Sequence, residues 1–281
     1  MQRTYLWNVN PVNNIDLKTY VIGDLHGGYQ GLMQCLEKVN FDYENDKLIS
    51  VGDLCDGWSE THLIFDEVRK IKNFIHVMGN HDEWSLDGLK RDNKFGSAIF
   101  NHAWLSQGGE ATKNSYLSLD DEGKEAFIQL LSEALPYYID EKNRLFVHAG
   151  YDRKMSIEKE DYTPEWEKSS GNLWWDRMMW DNLNRGFHVE DPRYDKVFIG
   201  HTPTISKGTS KPINIGNVWN VDTGAAFYGP VTIMDVDTNE YWQSDYVFRL
   251  YPHEKGRNRT AYINMIVDNW RDSLKEYDIH I

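Results

Sequence analysis

The chain has 281 residues, 40% hydrophobic and 26% charged, which suits one large domain or two small ones and is unlike a disordered chain. Its formal net charge of −14 argues against a generic grip on a nucleic-acid backbone, which needs a basic face, but leaves phosphorylated substrates open because metal ions dominate the local field where they bind. Two cysteines, Cys35 and Cys55, are too few for a disulfide framework, no apolar run reaches the roughly 18 residues of a membrane span, and MQRTYLWNVN lacks the basic-then-apolar layout of a secretion signal; a cytoplasmic protein without a membrane partner is expected.

Runs rich in Val, Ile and Phe predict strands at Thr19–Ile22, Lys47–Val51, Phe74–Met78, Arg144–Val147, Lys196–Ile199, Val218–Val221 and Val231–Val236. Between the first three lie stretches of helical length, one with a stripe of Leu32, Leu36 and Val39, the next with a looser stripe of Leu63, Val68 and Ile71. Strand–helix–strand–helix–strand predicts parallel pairing near the N-terminus and an α/β fold. From Leu105 to Leu135 a Gly-Gly pair precedes helical sequence, with LSLDDEGKEAFIQLL following a Ser118 cap. Residues 152–195 are polar and aromatic, carry Trp166, Trp174, Trp175 and Trp180, and read as a loop-rich insertion over the site. The chain thus divides into a catalytic domain over 1–252 and an extension over 253–281, where Ile263, Ile266, Val267, Trp270 and Leu274 predict a helix packed on the body.

Five of these runs end beside a Gly and present polar residues there: VIGDLHGGY, SVGDLCDG, VMGNHDEW, FVHAGY and FIGHTP. In parallel sheets ligands collect beyond the carboxyl ends of strands. Asp24, His26, Asp53, Asn80, His148 and His201 therefore form a set of oxygen and imidazole donors that suits two divalent transition metals better than a calcium or a structural zinc. Asp24 and His26, one residue apart, can reach a single ion. Asp53 can bridge two ions, and the Asn80 amide ligates without adding charge. Two divalent cations over two carboxylates leave a local positive surplus that attracts phosphate. His81, beside Asn80, is placed to face substrate and can donate a proton to a departing alkoxide. Asp56 can orient it. Cys55 reads as a small packed residue, with oxidation sensing as the alternative.

The motifs GDLHGGY, GDLCDG, GNHD, VHAG, GHTP and VDTGAAFYGPVT, in this order over about Thr19 to Thr232, resemble those of the phosphoprotein phosphatase family of calcineurin-like metallophosphoesterases. The likeness extends to bacterial and phage serine/threonine phosphatases and to symmetrical dinucleoside-tetraphosphatases, and includes WLSQGGEATKNSY. The resemblance implies a β-sandwich of mixed sheets flanked by helices, holding Mn²⁺, or else Fe, Zn²⁺ or Ni²⁺. Asp24, His26 and Asp53 would hold one ion, and Asp53, Asn80, His148 and His201 the other. Asp56 and His81 would form the acid dyad, and Asn80 would also face the substrate phosphate.

The implied reaction is metal-dependent hydrolysis of a phosphomonoester on a protein or a small molecule, by water activated between the two metals. Hydrolysis of a nucleotide or dinucleoside polyphosphate is the alternative, and a non-catalytic phospho-ligand module the third possibility. Two positions depart from the pattern. The second motif usually ends Asp-Arg-Gly, whose arginine clamps phosphate, but here Gly57 and Trp58 follow Asp56; the third ends in Asp82 where Glu is usual. LWWDR (Leu173–Arg177) resembles the bacterial Trp-X-Arg segment and nominates Arg177 for phosphate binding, with Arg91 and Arg153 as weaker substitutes.

Overall fold

Alternation along each strand sorts the apolar residues into three layers, and the layers define the architecture. In the computed structural model, which describes residues 17–91, 102–154, 157–159, 173–187 and 191–258, the strands form two five-stranded sheets. The first has the order β10–β9–β1–β2–β3, built from β1 (Thr19–Ile22), β2 (Lys47–Ser50), β3 (Asn73–His76), β9 (Pro230–Asp235) and β10 (Tyr241–Tyr246). The second has the order β4–β5–β6–β8–β7, from β4 (Tyr138–Ile139), β5 (Leu145–Phe146), β6 (Val197–Ile199), β7 (Ile213–Ile215) and β8 (Val218–Asn220). Val21, Ile49 and Met234 of the first sheet meet Phe146 and Phe198 of the second in one buried cluster. Their neighbours Tyr20, Ile22, Leu48 and Ile233 point the other way, into a cluster with Leu32 and Leu36 of α1 (Tyr29–Lys38) and Ile64, Phe65 and Val68 of α2 (Thr61–Val68). On the far face Leu145, Val147, Val197 and Ile199 pack with Met179, Trp180 and Leu183 of the helix Met178–Asn184. The result is an α/β sandwich of mixed sheets with helices outside.

The N-terminal parallel pairing is present, since β1 runs parallel to β2 and β2 to β3. The second sheet contains the parallel trio β5, β6 and β8. These six strands all run into loops that carry polar residues, and their convergence makes the site. Strands β4, β7 and β10 are additions to the sequence reading. β4 and β7 are two and three residues long, and β10 (YWQSDY) is polar and only partly buried, so none presents an apolar run.

Two helix assignments are corrected. In α2 the buried face is Ile64, Phe65 and Val68, and Leu63 is only half-buried; the core-facing register is i, i+1, i+4. Ser118 ends the helix Glu110–Leu117, while Asp120 caps the helix Asp121–Ser132 by accepting a 2.8 Å bond from the Gly123 amide, as an N-cap carboxylate should. Trp174 and Trp180 lie in the core beneath the second sheet. Trp166, the side chain of Arg91 and the helix expected around Ile263–Leu274 lie outside the described residues. Among those residues no helix is long and apolar enough to cross a membrane.

Candidate metal centre

The loop after β1 carries Asp24 and His26, and the loop after β2 carries Asp53 and Asp56. Backbone bonds stitch the two together: the amides of Leu25 and His26 donate to the Asp53 carbonyl at 3.0 and 2.9 Å. Asn80 opens α3 (Asn80–Arg91) directly after β3, so the positive end of that helix faces the cluster. His148 and His201 follow β5 and β6. His26, Asp53, Asp56 and His201 all sit at positive φ, between 48° and 72°, where non-glycine residues cost of order 1–3 kcal/mol each and persist only if the surroundings hold them. Glycines let the chains come close: a Cβ on Gly200 would lie 2.1 Å from Asp24 Oδ1, and one on Gly79 2.2 Å from Asp53 Oδ1.

All six proposed donors are buried. One side-chain atom from each of Asp24, His26 and Asp53 lies within 4.8 Å of the others, and the same holds for Asp53, His148 and His201. Asp53 belongs to both groups. Asn80 Oδ1 joins the second group, 3.0 Å from His148 Nε2 and 2.8 Å from His201 Nδ1.

The hydrogen bonds behind the cluster decide what it can hold. His148 Nδ1 donates to the Val51 carbonyl at 2.8 Å, which leaves the lone pair of Nε2 facing Asn80 Oδ1 and, at 3.3 Å, Asp53 Oδ2. Both of those are acceptors. His26 Nδ1 donates to the carbonyls of Cys55 and Asp56, turning its Nε2 lone pair toward Asp24 Oδ2 at 3.8 Å and Asp53 Oδ2 at 3.6 Å. His201 is unmet in either tautomer. Protonated at Nδ1 it leaves Nε2 buried without a partner; protonated at Nε2 it aims a lone pair at the Asn80 oxygen. Lone pairs converging on common points with no proton between them are what divalent cations resolve, and the N/O donor set suits transition metals.

Charge tells the same story. Burial, then the positive charge of Arg257, push the His26 imidazole down to about 3. Burial and then the neighbouring His148 and Arg177 likewise hold His201 well below its usual value. Both imidazoles are therefore neutral. Burial, reinforced by Asp222 and Asp53, lifts Asp24 well above the carboxylate range, and burial, with the Asp53 charge adding, holds Asp222 up at about 6. Carboxylates pressed together in this way are short of positive charge.

His81 donates its backbone N–H to Asp53 Oδ1 at 2.8 Å, and its Nδ1 bonds Asp56 Oδ2 at 2.8 Å. Its Nε2 is the nitrogen left for other work. Asp56 is held on several sides. Its carboxylate also accepts from Trp104 Nε1 at 3.0 Å and Ser85 Oγ at 2.9 Å, and its own amide donates to Thr112 Oγ1 at 2.8 Å.

Asp82, which stands where the resembled motif usually has Glu, ties two loops together. Its carboxylate accepts four backbone amides: Asp53 at 2.7 Å and Gly79 at 3.1 Å on one oxygen, Leu54 at 2.9 Å and Cys55 at 3.1 Å on the other. Asp82→Asn would turn an N–H₂ toward two of those amides and strand them. The expected cost is about 2–5 kcal/mol for buried donors left unmet, seen as a lower urea midpoint with unchanged slope. A parental midpoint would show that these bonds are replaceable.

Arg177, at the exposed rim, donates from Nη1 to Thr202 Oγ1 at 3.0 Å, beside His201. Arg153 instead lies 3.9 Å from Asp191. Between His81 and His201 stands a wall of two half-buried indoles. Trp84 sits edge-on to His81 at 5.4 Å and meets Trp175 at 4.8 Å, and Trp175 reaches His201 at 6.4 Å. Cys55 is fully buried, and burial pushes its thiol well above the usual value, in keeping with a packed residue. Asp222, Trp104 and Arg257 were not singled out in the sequence. Asp222 had a signal, because it follows β8 as the proposed donors follow their strands.

The profile of the family described as Calcineurin-like phosphoesterase matches residues 17–214. The chain is 27% identical over 219 residues to serine/threonine-protein phosphatase 1 of Salmonella typhimurium, covering 76% of this chain and 89% of that one. It is 25% identical over 234 residues to an asymmetrical bis(5'-nucleosyl)-tetraphosphatase of Bacillus cereus, covering 77% and 89%. The crystal structure of a metallophosphoesterase from Sphaerobacter thermophilus superposes with a TM-score of 0.52 at 15% identity, over 90% of this chain and 100% of that one.

Proposed function

The chain belongs to the calcineurin-like phosphoesterase family of metal-dependent phosphoester hydrolases, and we propose that it removes phosphate from phosphoserine and phosphothreonine in proteins. One observation carries the reading: two groups of buried donors share Asp53, and the His81–Asp56 pair lies against them. Asp24, His26 and Asp53 would hold one divalent cation, and Asp53, Asn80, His148 and His201 the other, with Mn²⁺ the ion we propose. When bound, such a pair supplies a water-derived nucleophile at neutral pH and offsets charge on the phosphate oxygens. The residues do the rest. Asn80 adds an oxygen without adding charge, so the centre keeps its attraction for a dianion. Asp56 accepts the Nδ1 proton of His81 and fixes the ring, so that Nε2 can pass a proton to the departing alkoxide. Arg177 is exposed and close enough to His201 to meet a phosphate oxygen.

The indole wall supports a second reading, hydrolysis of a dinucleoside polyphosphate, because Trp84 and Trp175 offer faces on which a base can stack. Product analysis separates the two. The first reading expects inorganic phosphate from a phosphoserine peptide at a kcat/KM above that for diadenosine tetraphosphate. Faster cleavage of the dinucleotide to nucleotides would replace it with the second.

A further inference from the structure

The segment after β10 returns to the site. Tyr251 stacks on Trp58, with ring centroids 5.3 Å apart, and the Glu254 carboxylate accepts the Ser59 amide at 2.9 Å and its hydroxyl at 2.7 Å. Gly256, at φ 55°, passes where a Cβ would lie 2.6 Å from the Trp58 ring. The Arg257 amide then donates to the Ala226 carbonyl at 3.0 Å. These contacts deliver Arg257 into a slot beside Asp56. A Cβ on Gly57 would meet Arg257 Cγ at an ordinary 3.6 Å, whereas one on Gly108 would press on it at 3.1 Å; the glycine at 108 thus leaves room for the stem. The guanidinium lies over the Phe227 ring at 5.3 Å and reaches Gln107 Oε1 from Nη2 at a long 3.4 Å. Its Nε is buried with no hydrogen-bond partner.

We infer that Arg257 is a substrate-binding residue of this site, its guanidinium gripping the phosphate on the side of the site where His81 and Asp56 lie. The Arg257 stem runs alongside position 57, so the charge arrives from a distant part of the chain. An arginine anchored by its backbone and stem but short of acceptors is preorganised for an oxyanion, which its planar fork can meet through two N–H groups. It also balances the buried Asp24, Asp53, Asp56 and Asp222, in whose field it sits. Arg177 stands by His201, so the two cations are positioned to approach one phosphate from different directions.

The inference rests on the phosphoesterase reading of the site, and the test separates the two. Arg257→Met keeps a stem in the slot and removes the guanidinium; Arg257→Lys keeps the charge without the fork. In Mn²⁺-loaded protein, binding of inorganic phosphate by calorimetry and the KM for p-nitrophenyl phosphate are measured with metal content and melting temperature. Arg257→Met is expected to weaken both by about 10- to 100-fold with metal content unchanged, the effect of losing a charge-assisted hydrogen bond, and Arg257→Lys to recover part of the loss. Weaker phosphate binding in Arg257→Met than in the parent, with neither protein hydrolysing any substrate, would uphold Arg257 and remove the catalytic reading. Phosphate affinity and KM within twofold of the parent in folded Arg257→Met would overturn the assignment, as would losses explained by lost metal.

Discussion

Asp53→Asn is expected to abolish metal-dependent turnover, lowering kcat by at least about 10³-fold, because the loss of a shared carboxylate ligand removes several kcal/mol of charge stabilisation. Asp53 is the residue common to both donor groups, and its Oδ2 lies 3.6 Å from His26 Nε2 and 3.3 Å from His148 Nε2. Asp53 Oδ1 accepts the His81 amide at 2.8 Å, and as a ligand the carboxyl would be deprotonated, a full anion that an amide cannot imitate. Metal analysis should show the loss directly, and thermal unfolding should show it without any assay of activity. Mn²⁺ at a hundred times its Kd should stabilise the parent by about 2.7 kcal/mol through linkage and raise its Tm, while the Asp53→Asn protein should respond far less. Equal metal content and equal thermal response would remove Asp53 from the centre. Equal background turnover of parent and variant across a broad phosphoester panel would instead favour a non-catalytic binding module.

His81→Asn should lower kcat on a phosphoserine peptide by about 10²–10⁴-fold, the usual worth of a positioned general acid, while leaving the metal content intact. The reason is geometric. His81 is bound through Nδ1 to Asp56 and through its backbone to Asp53, which leaves Nε2 to meet the leaving oxygen. A leaving group that departs readily as an anion has little need of that proton, so the loss on p-nitrophenyl phosphate should be much smaller. Matching losses on both substrates would mean that His81 does not act as the acid, and loss of metal together with turnover would make it a structural support.

The strand ends were legible because β-branched runs closing at a glycine are a local signal. β1 begins and ends where the sequence suggests, and the six donors set apart from the sequence lie together in one buried cluster. What was not legible depends on tertiary partners. Leu63 and Ile64 are equally apolar, and only packing under the first sheet shows that Ile64 and Phe65 face the core. Asp82 reads as a conservative variation until four amides are found converging on it. The two carboxylates among the proposed ligands are not the whole local charge, since Asp56, Asp82 and Asp222 are buried there as well. An attraction for phosphate would therefore draw more on arginines than a count of the proposed ligands suggests. Arg257 illustrates the limit best. It lies 200 positions from Gly57 in sequence, and only the stacking of Tyr251 on Trp58 and the docking of Glu254 on Ser59 bring its stem alongside.

The whole account depends on two cations sharing Asp53. Crystals of the full chain grown with MnCl₂ and measured at the manganese edge address this directly. Two anomalous peaks about 3.5–4 Å apart, on either side of Asp53 and within bonding distance of Asp24, His26, Asn80, His148 and His201, are the predicted result. A map with no peak among these residues, or with manganese bound elsewhere, would contradict it.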